Sequence, residues 1–289
     1  EWVRGVKVSV GEPYFNRMSV PTMLGLLLLM GLGPALPWGR SSSTVIRRAL
    51  LWPLIGAAAG LGLAALLGAD SFPVLFTSAL AGYTLWVTVD QAFRPTRSRM
   101  ARGESPPEAM VNATRLVPRR MGAYLTHLGV IVVAVSIAVS GSYQIDREAT
   151  LGPGETMEAG RYLLSFENTG IIQEPHVAKQ TATIVVDRGE QELGALRPSL
   201  NFYPTRREPI GTPAVHSTLT HDLYVTLMNV SNDGTIGLRA IVTPAVAWIW
   251  IGVFIMTFGT ALCLVPPARA LPVTTKRVAE DTEGAVTAS

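Results

Sequence analysis

Polar and apolar positions divide the chain into two regimes. Five stretches, Met18–Leu36, Ala49–Leu67, Phe72–Val89, Met121–Val139 and Ala245–Val265, are apolar almost throughout. Each is long enough to cross about 30 Å of hydrocarbon at about 1.5 Å per residue, so each predicts a membrane-spanning helix. Prolines 21, 34, 53 and 73 fall toward the helix ends, where a missing N–H costs little. From Gly141 to Val242 the pattern shortens and alternates. It predicts strands over Thr156–Glu158, Arg161–Glu167, Val177–Asp187, Gln191–Leu196, Asp222–Met228 and Thr235–Val242, with turns at GPG, NTG, DRG and NDG. Tyr162, Leu164 and Phe166 alternate with polar neighbours, as do Thr181, Thr183 and Val185, the mark of half-buried antiparallel strands.

The fold class follows: a polytopic α-helical membrane protein with one all-β domain, a small barrel or sandwich of about six to eight strands. Mean hydropathy of +0.31 and 16% charged residues agree with a membrane protein that has one sizeable soluble part. The net charge of +3 raises nucleic acid as a partner, but the basic residues cluster beside the apolar stretches and read as a topology signal. Arg94, Arg97, Arg99, Arg102, Arg115, Arg119 and Arg120 crowd the segment 94–120, and Arg40, Arg47 and Arg48 follow the first span. Gly68–Ser71 has no basic residue. Positive charge stays inside, so 94–120 is predicted to be a cytoplasmic loop and the β segment to lie outside. The expected organisation is an extracytoplasmic segment 1–17 and four helices within 18–142. An extracytoplasmic β domain 143–244, a helix 245–265 and a disordered cytoplasmic tail 266–289 complete it. Arg4, Lys7 and Arg17 weaken the asymmetry without reversing it.

The chain starts at Glu1 with no signal-peptide pattern, which suggests the C-terminal piece of a longer membrane protein or a split subunit. A single cysteine, Cys263, can form no internal disulfide and reads as a small packing residue; no CxxCH haem-attachment motif is present.

His127 is the informative residue. It interrupts the apolar run Gly122–Val139, and an ionisable group inside a span is costly enough to need a partner. At 3.6 residues per turn it shares a face with Ala123, Ala134, Ala138 and Gly141, all small, so that a flat macrocycle or another helix can come close. Neutral imidazole ligates haem iron well, which makes haem the leading partner; a hydrogen bond to a neighbouring helix is the competing reading. His176, His216 and His221 lack ligand spacing and read as surface or turn residues of the β domain. Trp248 and Trp250 read as interfacial anchors of the last span, and Tyr14 and Phe15 as anchors or as aromatics packing on a ligand.

Five motifs in order carry a family resemblance: SVGEPYFN at 9–16, RRMGAYLTHLGV at 119–130, LGPGETMEAGRYLLSF at 151–166, THDLYVTL at 220–227 and PAVAWIWIG at 244–252. The chain resembles the C-terminal portion of the CcmF family, cytochrome c-type biogenesis proteins of the haem lyase complex, without that family's tryptophan-rich WWD region. The resemblance implies a role in covalent attachment of haem to apocytochrome c in the bacterial inner membrane. It implies that His127 is an axial ligand to the iron of a transmembrane haem b, with the second ligand from an upstream or partner segment. It also implies a haem chaperone, other cytochrome c maturation proteins and a partner bearing the WWD region, and a chain inactive alone. A ResB-type subunit of the other cytochrome c assembly system and a non-catalytic membrane scaffold are the alternative readings.

Overall fold

The computed structural model describes residues 12–36, 39, 42–189, 191–206 and 208–267. Seven helices are described: α1 (Glu12–Ala35), α2 (Ser43–Leu51), α3 (Leu54–Leu66), α4 (Phe72–Met100), α5 (Pro106–Leu116), α6 (Pro118–Ser142) and α7 (Val246–Leu264). They make five apolar segments long enough to cross a membrane, with α2 and α3 joined as one across Trp52 and Pro53. A proline has no N–H to continue the ladder, which accounts for the break there. Residues 1–11 of the predicted outer segment, including the start of the SVGEPYFN motif, lie outside the described residues. So do Arg40, the Phe15 side chain and the tail from residue 268.

The predicted loop 94–120 is mostly helical. α4 runs through Val89 and Pro95 to Met100, carried by Asp90, which pairs with Arg94 at 2.9 Å and Arg97 at 3.0 Å. Gly103, at φ +93°, turns the chain, Arg99 pairs with Glu104, and Ser105 and Glu108 form a capping box that starts α5. Charged helical turns carry no hydropathy signal, which is why the sequence reads them as loop.

Close backbone contact assembles the spans. On α6, Gly122, Thr126, Gly129 and Val133 face Gly252, Met256, Gly259 and Cys263 of antiparallel α7. A Cβ on Gly129 would stand 2.6 Å from the Gly252 carbonyl oxygen, and one on Gly122 2.5 Å from that of Gly259. Gly56 and Gly60 of α3 meet Ser78 and Gly82 of α4 just as closely. Between helices in lipid there is no hydrophobic drive, so small residues that let backbones touch supply the association. Leu27, Ala81 and Ile131 form the buried centre where α1, α4 and α6 meet. At the end nearest the β domain, the Tyr143 hydroxyl donates to the Asp70 carboxylate at 2.9 Å and accepts the backbone N–H groups of Asp70 and Ser71. The exit of α6 is thereby clamped to the turn before α4.

Ten strands are described in the β domain: β1 (Ile145–Leu151), β2 (Thr156–Ala159), β3 (Tyr162–Glu174), β4 (Val177–Arg188), β5 (Gln191–Leu196), β6 (Ser199–Phe202), β7 (Ile210–Thr212), β8 (Ala214–Ser217), β9 (His221–Val230) and β10 (Ile236–Pro244). One sheet has the order β1-β10-β9-β8; the other runs β2-β3-β4-β6-β7 with β5 also on β4. Their inner faces share one core, with Tyr162, Leu164, Phe166, Ala182, Ile184 and Val186 from one and Leu223, Val225, Leu238 and Ala240 from the other. This resolves the expected barrel or sandwich as a sandwich. The NTG at 168–170 is not a turn: it lies within β3, beside a bulge between Phe166 and Asn168. Strands β1, β6, β7 and β8 are absent from the sequence reading; β1 is held by the distant β10, β6 by β4, and β7 and β8 by the adjacent β6 and β9.

β1 follows α6 and β10 precedes α7, and they pair antiparallel with Ile145 opposite Val242. That pairing sets the two helices side by side where they enter the glycine seam. Overfilling the seam is therefore expected to destabilise the bundle. Gly129→Val should cost about 1–3 kcal/mol in detergent unfolding, while Gly62→Val, at a position with open space around it, should cost far less. Equal loss in both variants would remove the seam's special role.

Candidate functional site: the intramembrane histidine

His127 projects from α6 on a face set by the glycine seam. At about 100° per residue it lies roughly 130° around the helix from that seam, on the stripe that continues through Ile131, Ala134 and Ala138. Ile131 belongs to the buried centre with Leu27 of α1 and Ala81 of α4, and Ala134 packs against it. The imidazole is thus half-buried on the side of α6 turned toward α1 and α4 rather than α7.

Several hydroxyls in the helices donate to carbonyls. Thr84 donates to the Leu27 carbonyl at 2.9 Å, Thr126 to that of Gly122 at 3.0 Å, Ser136 to that of Val132 at 2.7 Å and Thr260 to that of Met256 at 2.8 Å. His127 differs. Its Nδ1 is buried with no hydrogen-bond partner, and among the described helical residues it is the one buried side-chain nitrogen or oxygen in that condition. A buried polar atom left unpaired costs about 1–3 kcal/mol. A bond to a metal, or a donor or acceptor from another segment, would relieve that cost.

A haem takes a nitrogen on each axial side in a bis-histidine site. His127 would offer one such nitrogen, on a helix face it shares with Ala123, Ala134 and Ala138. The other three histidines are all in the β domain, and no cluster of three or more His, Cys, Asp or Glu that would hold a metal is present among the described residues. His176 is exposed at the tip of the β3–β4 hairpin. His216 faces Leu223 across β8 and β9, and His221 faces Pro244 across β9 and β10.

His221 is half-buried where it closes the turn after β8, its backbone N–H donating to Thr218 Oγ1 at 3.0 Å. Its Nδ1 is buried without a partner, and so is one oxygen of the neighbouring Asp222, whose other oxygen takes a bond from the Tyr224 hydroxyl at 3.4 Å. Burial, and behind it the charge of Arg161, hold the His221 imidazole below its ordinary value of 6.5. Neither burial has a periodicity signal, since both residues sit where β9 leaves the junction with α7. Trp248 and Trp250, 48% and 63% exposed in the first turn of α7, suit interfacial anchors. Tyr14 is exposed near the start of α1. Cys263 is half-buried in the seam, its thiol directed at the Arg119 carbonyl at 3.3 Å.

Residues 142–244 match the CcmF C-terminal β-sandwich family. The chain is CcmF-like, and its sandwich belongs to that family. It is 29% identical to the cytochrome c-type biogenesis protein CcmF of Pseudomonas aeruginosa over 260 residues, which cover 89% of this chain and 38% of that protein. CcmF of Escherichia coli K12 is 29% identical over 95% of this chain and 40% of its own length, and that of Haemophilus influenzae 30% identical over 89% and 39%. The solved structure of cytochrome c haem lyase CcmF superposes with a TM-score of 0.71 at 29% identity, covering 89% of this chain and 41% of its own. The chain therefore spans about two fifths of the length of these CcmF relatives.

The depressed His221 imidazole has a consequence for stability. Below about 6.5 the unfolded chain takes up a proton that the folded one resists, so stability is present above that value and is lost as pH falls through it. Thermal unfolding at stepped pH should show this acid-side loss, and His221→Gln should flatten it. An unchanged slope in the variant would assign the loss to another group.

Proposed function

We propose that the chain works in the maturation of c-type cytochromes, contributing to a membrane complex that attaches haem covalently to apocytochrome c. Its likeness to CcmF along nearly the whole chain carries this reading. In it, His127 provides one axial nitrogen to a membrane-embedded haem b, and the β-sandwich, on the outer face of a bacterial cytoplasmic membrane, docks protein partners.

What supports the ligand role is the buried, partnerless Nδ1 of His127 on a helix where Thr126 and Ser136 bond to carbonyls. A haem b held there supplies one-electron transfer. The chain's own contribution is positioning: α6, locked to α7 by glycines and to α4 through Tyr143, holds the imidazole at a fixed rotation. The second axial ligand comes from a segment or partner beyond these residues, which is where the relatives' remaining length and the WWD region enter. A haem chaperone and the apocytochrome are the natural visitors to the outer face. Support for docking lies in the β3–β4 hairpin, which extends past the core with Ile171 74% and Ile172 50% exposed.

Two experiments test this. In the complex assembled with the segment that completes the haem site, His127→Ala should abolish the low-spin b-type spectrum and cytochrome c maturation while the protein stays in the membrane. His176→Ala, His216→Ala and His221→Ala should leave the spectrum intact; a normal bis-histidine spectrum in His127→Ala would refute the ligand role. The arginines of α4, α5 and α6 set the proposed orientation. In a Cys263→Ala background, a membrane-impermeant thiol reagent applied to intact cells should modify Ser231→Cys in the sandwich and spare Ser105→Cys before α5. The reverse pattern would invert the topology.

A further inference from the structure

The end of the helix bundle remote from the β domain carries a pocket that neither the histidine nor the sandwich uses. It lies between the C-terminal end of α1, α2 and the second half of α4, and encloses about 590 Å³. Arg48, Arg94 and Arg97 line it together with Trp52 and Trp86, against the carboxylate of Asp90. Three guanidiniums and one carboxylate leave it cationic.

Asp90 holds the two α4 arginines without exhausting them. One of its oxygens accepts Nε and Nη2 of Arg94 at 3.1 and 2.9 Å, and the other accepts Nη1 of Arg97 at 3.0 Å. A guanidinium has five N–H donors, so Arg94 keeps three and Arg97 four for a further acceptor. Their side chains remain 63% and 65% exposed. Arg48 lies over the Trp52 ring at 5.8 Å, a cation–π contact that holds a third guanidinium at the rim.

Depth decides what such a pocket meets. About 20 helical residues cross the hydrocarbon, so a span that begins at Phe72 reaches the far boundary near Gln91. Arg94 and Arg97 then stand at headgroup level, with Trp86 just inside it. Trp52 and Trp86 are 51% and 40% exposed, and indoles of this kind sit where headgroups meet acyl chains. A free anion would meet the guanidiniums but leave the indoles without an apolar partner; a phospholipid meets both. Arginine forks match phosphate oxygens two at a time.

We propose that this pocket binds the phosphate headgroup of an anionic phospholipid, with Arg48, Arg94 and Arg97 on the phosphate and Trp52 and Trp86 along the first part of the acyl chains. The inference needs only that the chain spans a membrane and does not depend on the haem reading.

The test is native mass spectrometry of the full chain in detergent with added phosphatidylglycerol or phosphatidylcholine. Phosphatidylglycerol should be retained preferentially, and the preference should fall as salt rises. Arg48→Gln combined with Arg97→Gln should reduce that preference about tenfold or more, whereas Arg102→Gln, on the same charged end but outside the pocket, should leave it unchanged. Equal retention of both lipids by the unmodified chain would overturn the proposal without reference to any variant. An equal loss in Arg102→Gln would also overturn it, by assigning the preference to overall charge. A third arm adds inorganic phosphate: displacement of the lipid at matched concentration would identify a soluble-phosphate site instead and reject the lipid assignment.

Discussion

The contact between α6 and α7 governs the rest of the molecule. Gly122 and Gly129 on one helix, and Gly252 and Gly259 on the other, bring the backbones so close that no side chain fits between them. In lipid an apolar side chain gains nothing by turning from solvent to a neighbouring helix, so rotation about each helix axis is chosen by steric fit. Once the seam chooses it, His127 must point toward α1 and α4. The same seam requires the two helices to leave the membrane side by side, which is what the antiparallel pairing of β1 with β10 provides. The membrane-spanning helices and the β domain thus share one register.

Polar groups in the helices follow from the same economy. Threonine and serine hydroxyls cap nearby carbonyls, Gln91 donates to the Pro34 carbonyl at 2.8 Å, and Tyr143 ties α6 to the turn before α4 with three hydrogen bonds. Against that background the Nδ1 of His127 stands apart as a buried nitrogen without a partner among the described helical residues. That open nitrogen is the observation behind the proposed ligand role. The sandwich differs in solvent and in logic: its core is self-contained, and its unpaired polar atoms, on His221 and Asp222, gather where it meets α7.

Much of this was legible in the sequence. Hydropathy located the five spans, alternation located six of the ten strands, and the cost of an ionisable group in lipid singled out His127. Each is a property of residues and their near neighbours along the chain. The motifs in order identified the family, because their joint occurrence is far more restrictive than any one of them.

Only the tertiary structure decided the rest. Hydropathy scores transfer into lipid and is blind to which face of a helix is used, so the glycine seam and the direction of His127 were not accessible from it. The charged continuation of α4 read as loop because its helix is held by Asp90–arginine pairs and capping rather than by apolar periodicity. The NTG of β3 had turn composition, but its pairing with β4 kept it extended. Short strands such as β6 to β8 exist through hydrogen bonds to neighbouring strands rather than through an apolar pattern of their own, and a sandwich differs from a barrel only in which edges close. The sequence by itself determined what each segment can bury; the structure decided against which partner, because that choice rests on backbone approach and strand pairing between residues distant in sequence.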